Sequence, residues 1–169
     1  SIVEGTDAVF AVAITGAAAG STVTLSLADG TALDADYFST PAAGNFQYST
    51  DGGSSWTDIS GAISLSAGDT ALQVRTDTID DLIDESSENF TLNVSLSSNG
   101  TAYNDSATAT ITDNDTPTVI IGNPGGAAGN SNDITVVEGV DAIFAVAVNG
   151  AAAGSTLTLS LADGTALDA

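Results

Sequence analysis

Residues 1–35 of the chain return as residues 135–169. Glu4 aligns with Glu138, an offset of 138 − 4 = 134, and 28 of the 35 gapless positions are identical. Most of the changes are conservative: Val9 becomes Ile143, Ile14 becomes Val148 and Val23 becomes Leu157. A match this long is not chance, so the chain spans a little more than one period of a tandem array. Whatever fold the unit has must therefore close within one period. The turn signal Thr116-Pro117, after Asp113-Asn114-Asp115, marks the boundary. Residues 1–115 form one unit lacking its opening strand, and 116–169 carry the first strands of the next, incomplete repeat. About 115 residues are enough to bury a single core. The partial repeat is expected to leave strand edges unpaired, to be completed by a longer chain or a neighbouring molecule. The start at Ser1, without initiator methionine or signal peptide, fits a window on something longer.

Within the unit the apolar residues fall at period two. Phe10, Val12 and Ile14 share one face of a predicted strand, and Val23, Leu25 and Leu27 share one face of the next. Gly16 to Gly20 is a small-residue turn between them. Asp51-Gly52-Gly53 predicts a hairpin between Phe46–Ser49 and Ser55–Thr57. Gly68-Asp69 reads as a further turn. Strands follow around Leu72, Val74 and Thr76, then Phe90, Leu92, Val94 and Leu96, then Ala107, Ala109 and Ile111. Val119-Ile120-Ile121 opens the next unit, and the Gly-rich stretch 122–132 is expected to be flexible. Short strands, hairpin turns and no amphipathic helix predict an all-β sandwich.

The charge is lopsided. Twenty-two acids face one base, Arg75, for a net charge of −21, while apolar residues still make up 43 % of the chain. A core is affordable, so acidity does not force disorder. Nucleic acid and anionic membrane are excluded as partners by repulsion. No apolar run reaches the length of a membrane span. Without cysteine there is no disulfide to brace the fold, and bound metal is the remaining staple.

The acids cluster where strands end. They are Glu4; Asp34 and Asp36; Asp80, Asp81, Asp84 and Glu85; and Asp113 with Asp115. Five of the thirteen residues from Thr78 to Phe90 are carboxylates. Packed like charges stay ionised only with a cation among them. Loops distant in sequence can gather at one end of a Greek-key sandwich. Calcium takes six to eight oxygens in irregular geometry, which this inventory supplies. Zinc or copper would want His or Cys, and the chain has neither. Asp29 and Asp51, by contrast, sit in turns and read as solvated turn residues. Trp56 reads as a packed sheet residue.

Four motifs stand in order: Val3-Glu4-Gly5; Asp29-Gly30-Thr31-Ala32 with Asp36-Tyr37; Ile79-Asp80-Asp81 with Glu88-Asn89-Phe90; and Asp113-Asn114-Asp115. Together they resemble the Calx-β domain of sodium/calcium exchangers and of many bacterial surface proteins. The resemblance covers nearly all of residues 1–115 and restarts at 118–169. It implies a Greek-key, Ig-like sandwich and calcium held by Glu4, Asp36, Asp80, Asp81, Glu85, Asp113 and Asp115, with Glu138 as the repeat of Glu4. Asn114 inside the terminal triplet and Leu82 after the aspartate pair depart from the family pattern, which implies fewer or weaker ions.

Enzyme chemistry lacks parts: there is no His, Cys or Lys, and no recognisable base beside a Ser or Thr. The expected function is that of a calcium-binding extender repeat in a secreted bacterial surface adhesin of RTX type, serving attachment or biofilm formation. Its partners would be neighbouring repeats and other copies of the protein. The alternatives are a ligand-binding adhesion module using the Trp56 hairpin, and a repeat of an extracellular filament.

Overall fold

A computed structural model describes residues 1–39, 44–123, 134–162 and 164–165. The chain divides into two compact units, Ser1–Asp115 and Thr116–Ala169. Among the described residues the structure is all-β, and none of them belongs to a helix.

Among its described residues the first unit contains nine strands: β1 (Ile2–Val3), β2 (Asp7–Ala17), β3 (Thr22–Asp29), β4 (Phe46–Ser49), β5 (Thr57–Asp58), β6 (Ile63–Ser64), β7 (Gly68–Asp77), β8 (Glu88–Ser98) and β9 (Thr101–Thr112). They form a five-stranded sheet of order β1-β9-β8-β3-β6 and a four-stranded sheet of order β2-β7-β4-β5. Both sheets contribute to one core: Ile14, Leu72, Val74 and Phe46 from one, Val23, Leu25 and Leu92 from the other. The two inner faces therefore pack against each other as in a β-sandwich.

The period-two pattern explains which side chains go in. Val23 and Leu25 on β3, and Phe90 and Leu92 on β8, are buried, while the residues on either side of each are not. β8 and β9 join through a two-residue turn with Asn99 and Gly100 both at positive φ (49° and 76°), the twist that suits a tight hairpin. β9 is longer than the Ala107–Ile111 alternation predicts. Its first half, Thr101–Ser106, is exposed throughout and pairs in full with Asn93–Ser98. Ladder hydrogen bonds extend it where no apolar pattern could. Gly68-Asp69, expected as a turn, instead opens β7, with Gly68 opposite Ala17 across a bulge.

A second, smaller cluster lies apart from the main core. Tyr37 and Phe90 stack at 4.1 Å and 11°, and Ala8, Ala32 and Ile111 close around them. The Tyr37 hydroxyl donates to Asp29 Oδ1 at 2.7 Å, so this aspartate, expected in a turn, ends β3 and holds the ring in place. Gly30 allows the chain to press on β8: a Cβ there would lie 2.5 Å from the carbonyl oxygen of Asn89.

The second unit is sparser. β10 (Thr118–Gly122) pairs antiparallel with β11 (Ala145–Asn149), with Ile120 opposite Ala147. Most of the Gly-rich stretch 122–132 lies outside the described residues. The repeat provides an internal control here. Thr22–Leu27 is strand, but its copy Thr156–Leu161 has no regular structure, and Leu161 is 92 % exposed. The same alternation becomes a strand only where a partner such as β8 lies beside it.

Candidate metal centre

β1 runs parallel to the end of β9, with Val3 opposite Thr112. The Glu4 N–H continues this pairing, donating to the Thr112 carbonyl at 3.1 Å. Residue 4 is thereby fixed beside residue 113. The Asp113-Asn114-Asp115 turn then wraps the Glu4 side chain. The Asn114 N–H donates to Glu4 Oε1 at 3.2 Å, and the Asp115 N–H to Asp113 Oδ1 at 3.0 Å.

The acidic loop joins from the other sheet. The Glu85 N–H donates to Asp113 Oδ2 at 3.0 Å, and Asn114 Nδ2 to Asp80 Oδ1 at 3.3 Å. Asp36 arrives with the Tyr37–Thr78 bridge, and its carbonyl accepts from the Ile79 N–H at 2.9 Å. Glu4, Asp36, Asp81, Glu85, Glu88 and Asp113 line one cavity of ≈ 10 Å³. That is about the space of one water-sized sphere, suited to a single ion and too small for an organic ligand.

Gly5 makes the approach possible. It sits at φ +71°, and a Cβ there would lie 2.7 Å from the Cβ of Asp80. Gly5→Ala is therefore expected to cost about 1–3 kcal/mol, read as a lower urea midpoint. An unchanged midpoint would show that Asp80 moves aside freely.

Glu4, Asp113 and Asp115 each bring a carboxylate oxygen within 4.8 Å of the others. Two oxygens bound to one calcium at about 2.4 Å stand at most about 4.8 Å apart, so the spacing fits a shared ion. Glu4 is only 7 % exposed. Oδ2 of Asp115 is buried and has no hydrogen-bond partner among the described residues, which costs stability unless something else coordinates it. The chain's one Arg or Lys does not help: Arg75 pairs with Asp7 at 2.9 Å, bonds Gln47 and lies over Trp56 at 4.4 Å.

Protonation reflects the crowding. Burial pushes the Glu4 carboxyl up to about 7, with Asp113 and Asp115 adding repulsion. Asp113 moves the other way, held below the usual range first by the Asp115 N–H and then by that of Glu85. Glu4 and Asp113 therefore titrate as a coupled pair, with Glu4 raised and Asp113 lowered. Burial likewise pushes Glu88 up to about 7, with Asp36 and Glu85 adding to it, and raises Glu85. Carboxyls with raised folded values bind more protons folded than unfolded, so they stabilise most below about 4.5. That stability is lost as pH rises through about 7. Without divalent cations the protein is expected to lose on the order of 2 kcal/mol between pH 5 and 7.5, measured by urea unfolding. A flat profile would mean the acids are fully hydrated.

No protein-family model matches the chain, and no curated protein matches it.

Seven of the eight residues singled out in the sequence thus belong to one constellation, Asp80 through Asn114 and the others through the cavity or the triad. Glu138 stands exposed in a turn of the second unit, outside any acidic group found among the described residues. Glu88 was not among the eight, yet it lines the cavity. The signal was its position two residues before Phe90 and four before Leu92, on the inward face of β8. Asp51 proves to be a turn residue. The Ser55 hydroxyl and N–H and the Ser49 hydroxyl all donate to it, and they draw it down to about 2.

Proposed function

We propose that residues 1–115 are a Calx-β-like, Greek-key sandwich of Ig-like type that binds calcium at the Glu4–Asp113–Asp115 pole. The unit repeats in tandem as a structural extender of a secreted bacterial surface adhesin. The observation that carries this reading is the partnerless buried oxygen of Asp115 beside two further carboxylates within ion-sharing distance. Calcium is preferred because every side-chain donor is oxygen and the loops are irregular. The site immediately precedes Thr116 in sequence, so an ion there stiffens the segment that leads into the next repeat. Neighbouring repeats, and other copies on the same surface, are the natural partners. The alternative of glycan or protein capture by the Trp56 hairpin has less support, since Arg75 already covers that ring.

Hydrogen exchange on the full chain tests the proposal. Calcium is expected to slow exchange of the Asp113–Thr116 amides by about tenfold or more, an added protection of about 1.4 kcal/mol. Equal exchange in calcium and in chelator would reject it.

A further inference from the structure

The turn between β8 and β9 carries chemistry that the acidic pole does not use. Among the described residues Asn99 is the only non-glycine residue at positive φ (49°), and Gly100 follows it at 76°. Ser98 pairs with Thr101, so these two residues are the whole turn. Both are exposed. A Cβ placed on Gly100 would meet nothing within 4 Å. Among the described residues neither the Gly100 N–H nor the Asn99 carboxamide has a hydrogen-bond partner.

This arrangement lets the chain attack itself. The Gly100 nitrogen is bonded to the Asn99 carbonyl carbon, so joining it to Asn99 Cγ closes a five-membered ring. After most asparagines the next side chain crowds that nitrogen, and a ladder hydrogen bond fixes it. Here glycine has no side chain and the N–H is unbound. Asn93 and Asn104 lie in the same hairpin, but Val94 and Asp105 follow them, and all four residues stand in the β8–β9 ladder.

We propose that Asn99 is a self-modification site, which loses ammonia to form a succinimide with Gly100 and is opened by water, mainly to isoaspartate. The Gly100 nitrogen gives up its proton and bonds Asn99 Cγ. The Cγ–Nδ2 bond breaks, and ammonia leaves with that proton. Water then adds to one of the two ring carbonyls. Opening at Cγ restores the ordinary main chain as aspartate. Opening at the Asn99 main-chain carbonyl leaves the chain running through Cγ, one methylene longer. Either product adds one negative charge, −21 − 1 = −22. Nothing is oxidised or reduced, and no enzyme or metal takes part.

The longer link undoes the turn. A two-residue hairpin sets the register of its strands, and an inserted methylene does not fit between Ser98 and Thr101. The tip is also tied down, since the Ala18 N–H and the Ser21 hydroxyl donate to Ser98 Oγ at 3.3 and 2.8 Å. Isoaspartate therefore frays the hairpin from this end. The far end, where Glu88 faces Ile111, keeps its pairing.

The full chain, held at mildly alkaline pH in heavy-oxygen water, tests this by peptide mapping. Asn99 is expected to convert with uptake of one heavy oxygen, more to isoaspartate than to aspartate, at a rate within about tenfold of the same chain in urea. Asn93 and Asn104 are expected to stay amides over that time. In the converted fraction, separated by ion exchange, the amides of Ser95–Ser98 and Thr101–Asn104 are expected to exchange hydrogen faster. Asn99→Asp, with the same charge and an ordinary link, is expected to exchange as the parent does. Three results would overturn the proposal: an Asn99 that converts in urea but not when folded, conversion at Asn93 or Asn104 as fast as at Asn99, or an Asn99→Asp hairpin as frayed as the converted one.

Discussion

Phe90→Ala is expected to lower the unfolding free energy by about 3–5 kcal/mol, the largest effect of any single change in the first unit. The ring is fully buried, stacked on Tyr37 at 4.1 Å and met edge-on by Phe10 at 6.0 Å and 77°. Removing it opens a cavity between two rings that then lose their aromatic contacts. The loss reaches the acidic pole, because Glu88 precedes Phe90 by two residues and Ile111, beneath Asp113, packs in the same cluster. Phe90→Leu keeps most of the volume and is expected to cost about half as much. Urea unfolding of both variants checks the pair. A loss below about 1 kcal/mol for alanine would mean that the Tyr37 cluster is not part of the cooperative unit.

Calcium at a hundredfold excess over its dissociation constant is expected to add about 2.7 kcal/mol. For a domain of this size that raises Tm by roughly 10 °C, and chelator reverses it. Magnesium is expected to do less, since it demands near-octahedral geometry and shorter bonds than loops of this kind provide. Asp115→Asn separates a metal site from a merely acidic patch. Without calcium the variant is expected to be as stable as the parent or more so, because a like charge is gone. With calcium it is expected to fall below the parent, since an anionic donor is lost. Reversal of rank on adding one ion cannot come from general screening, which acts on both proteins alike.

Different parts of this molecule were legible in the sequence to different degrees, for physical reasons. The inward faces of β3 and β8 were readable because burial imposes period two on Val23, Leu25, Phe90 and Leu92. The first half of β9 was not, because strands held only by a neighbour's backbone leave no apolar trace. The silent copy of β3 at Thr156–Leu161 makes the same point in reverse: pattern is permission, and the partner decides. At the site, carboxylates grouped by sequence could be counted. Only the parallel β1–β9 pairing, however, brings Glu4 to Asp113. Glu88 was visible in the acidic stretch but not in the ligand set, because it begins a strand rather than sitting in the loop proper.

The most direct measurement is a calcium titration of the full chain by calorimetry, at pH 5.5 and 7.5, beside Asp115→Asn. Protons on Glu4 and Glu88, both near 7 when folded, must leave as the ion enters. Saturable binding that tightens from pH 5.5 to 7.5, releases protons and weakens about tenfold or more in the variant is the expected result. Heat indistinguishable from dilution at both pH values, or binding that Asp115→Asn leaves unchanged, would contradict a metal-bound pole.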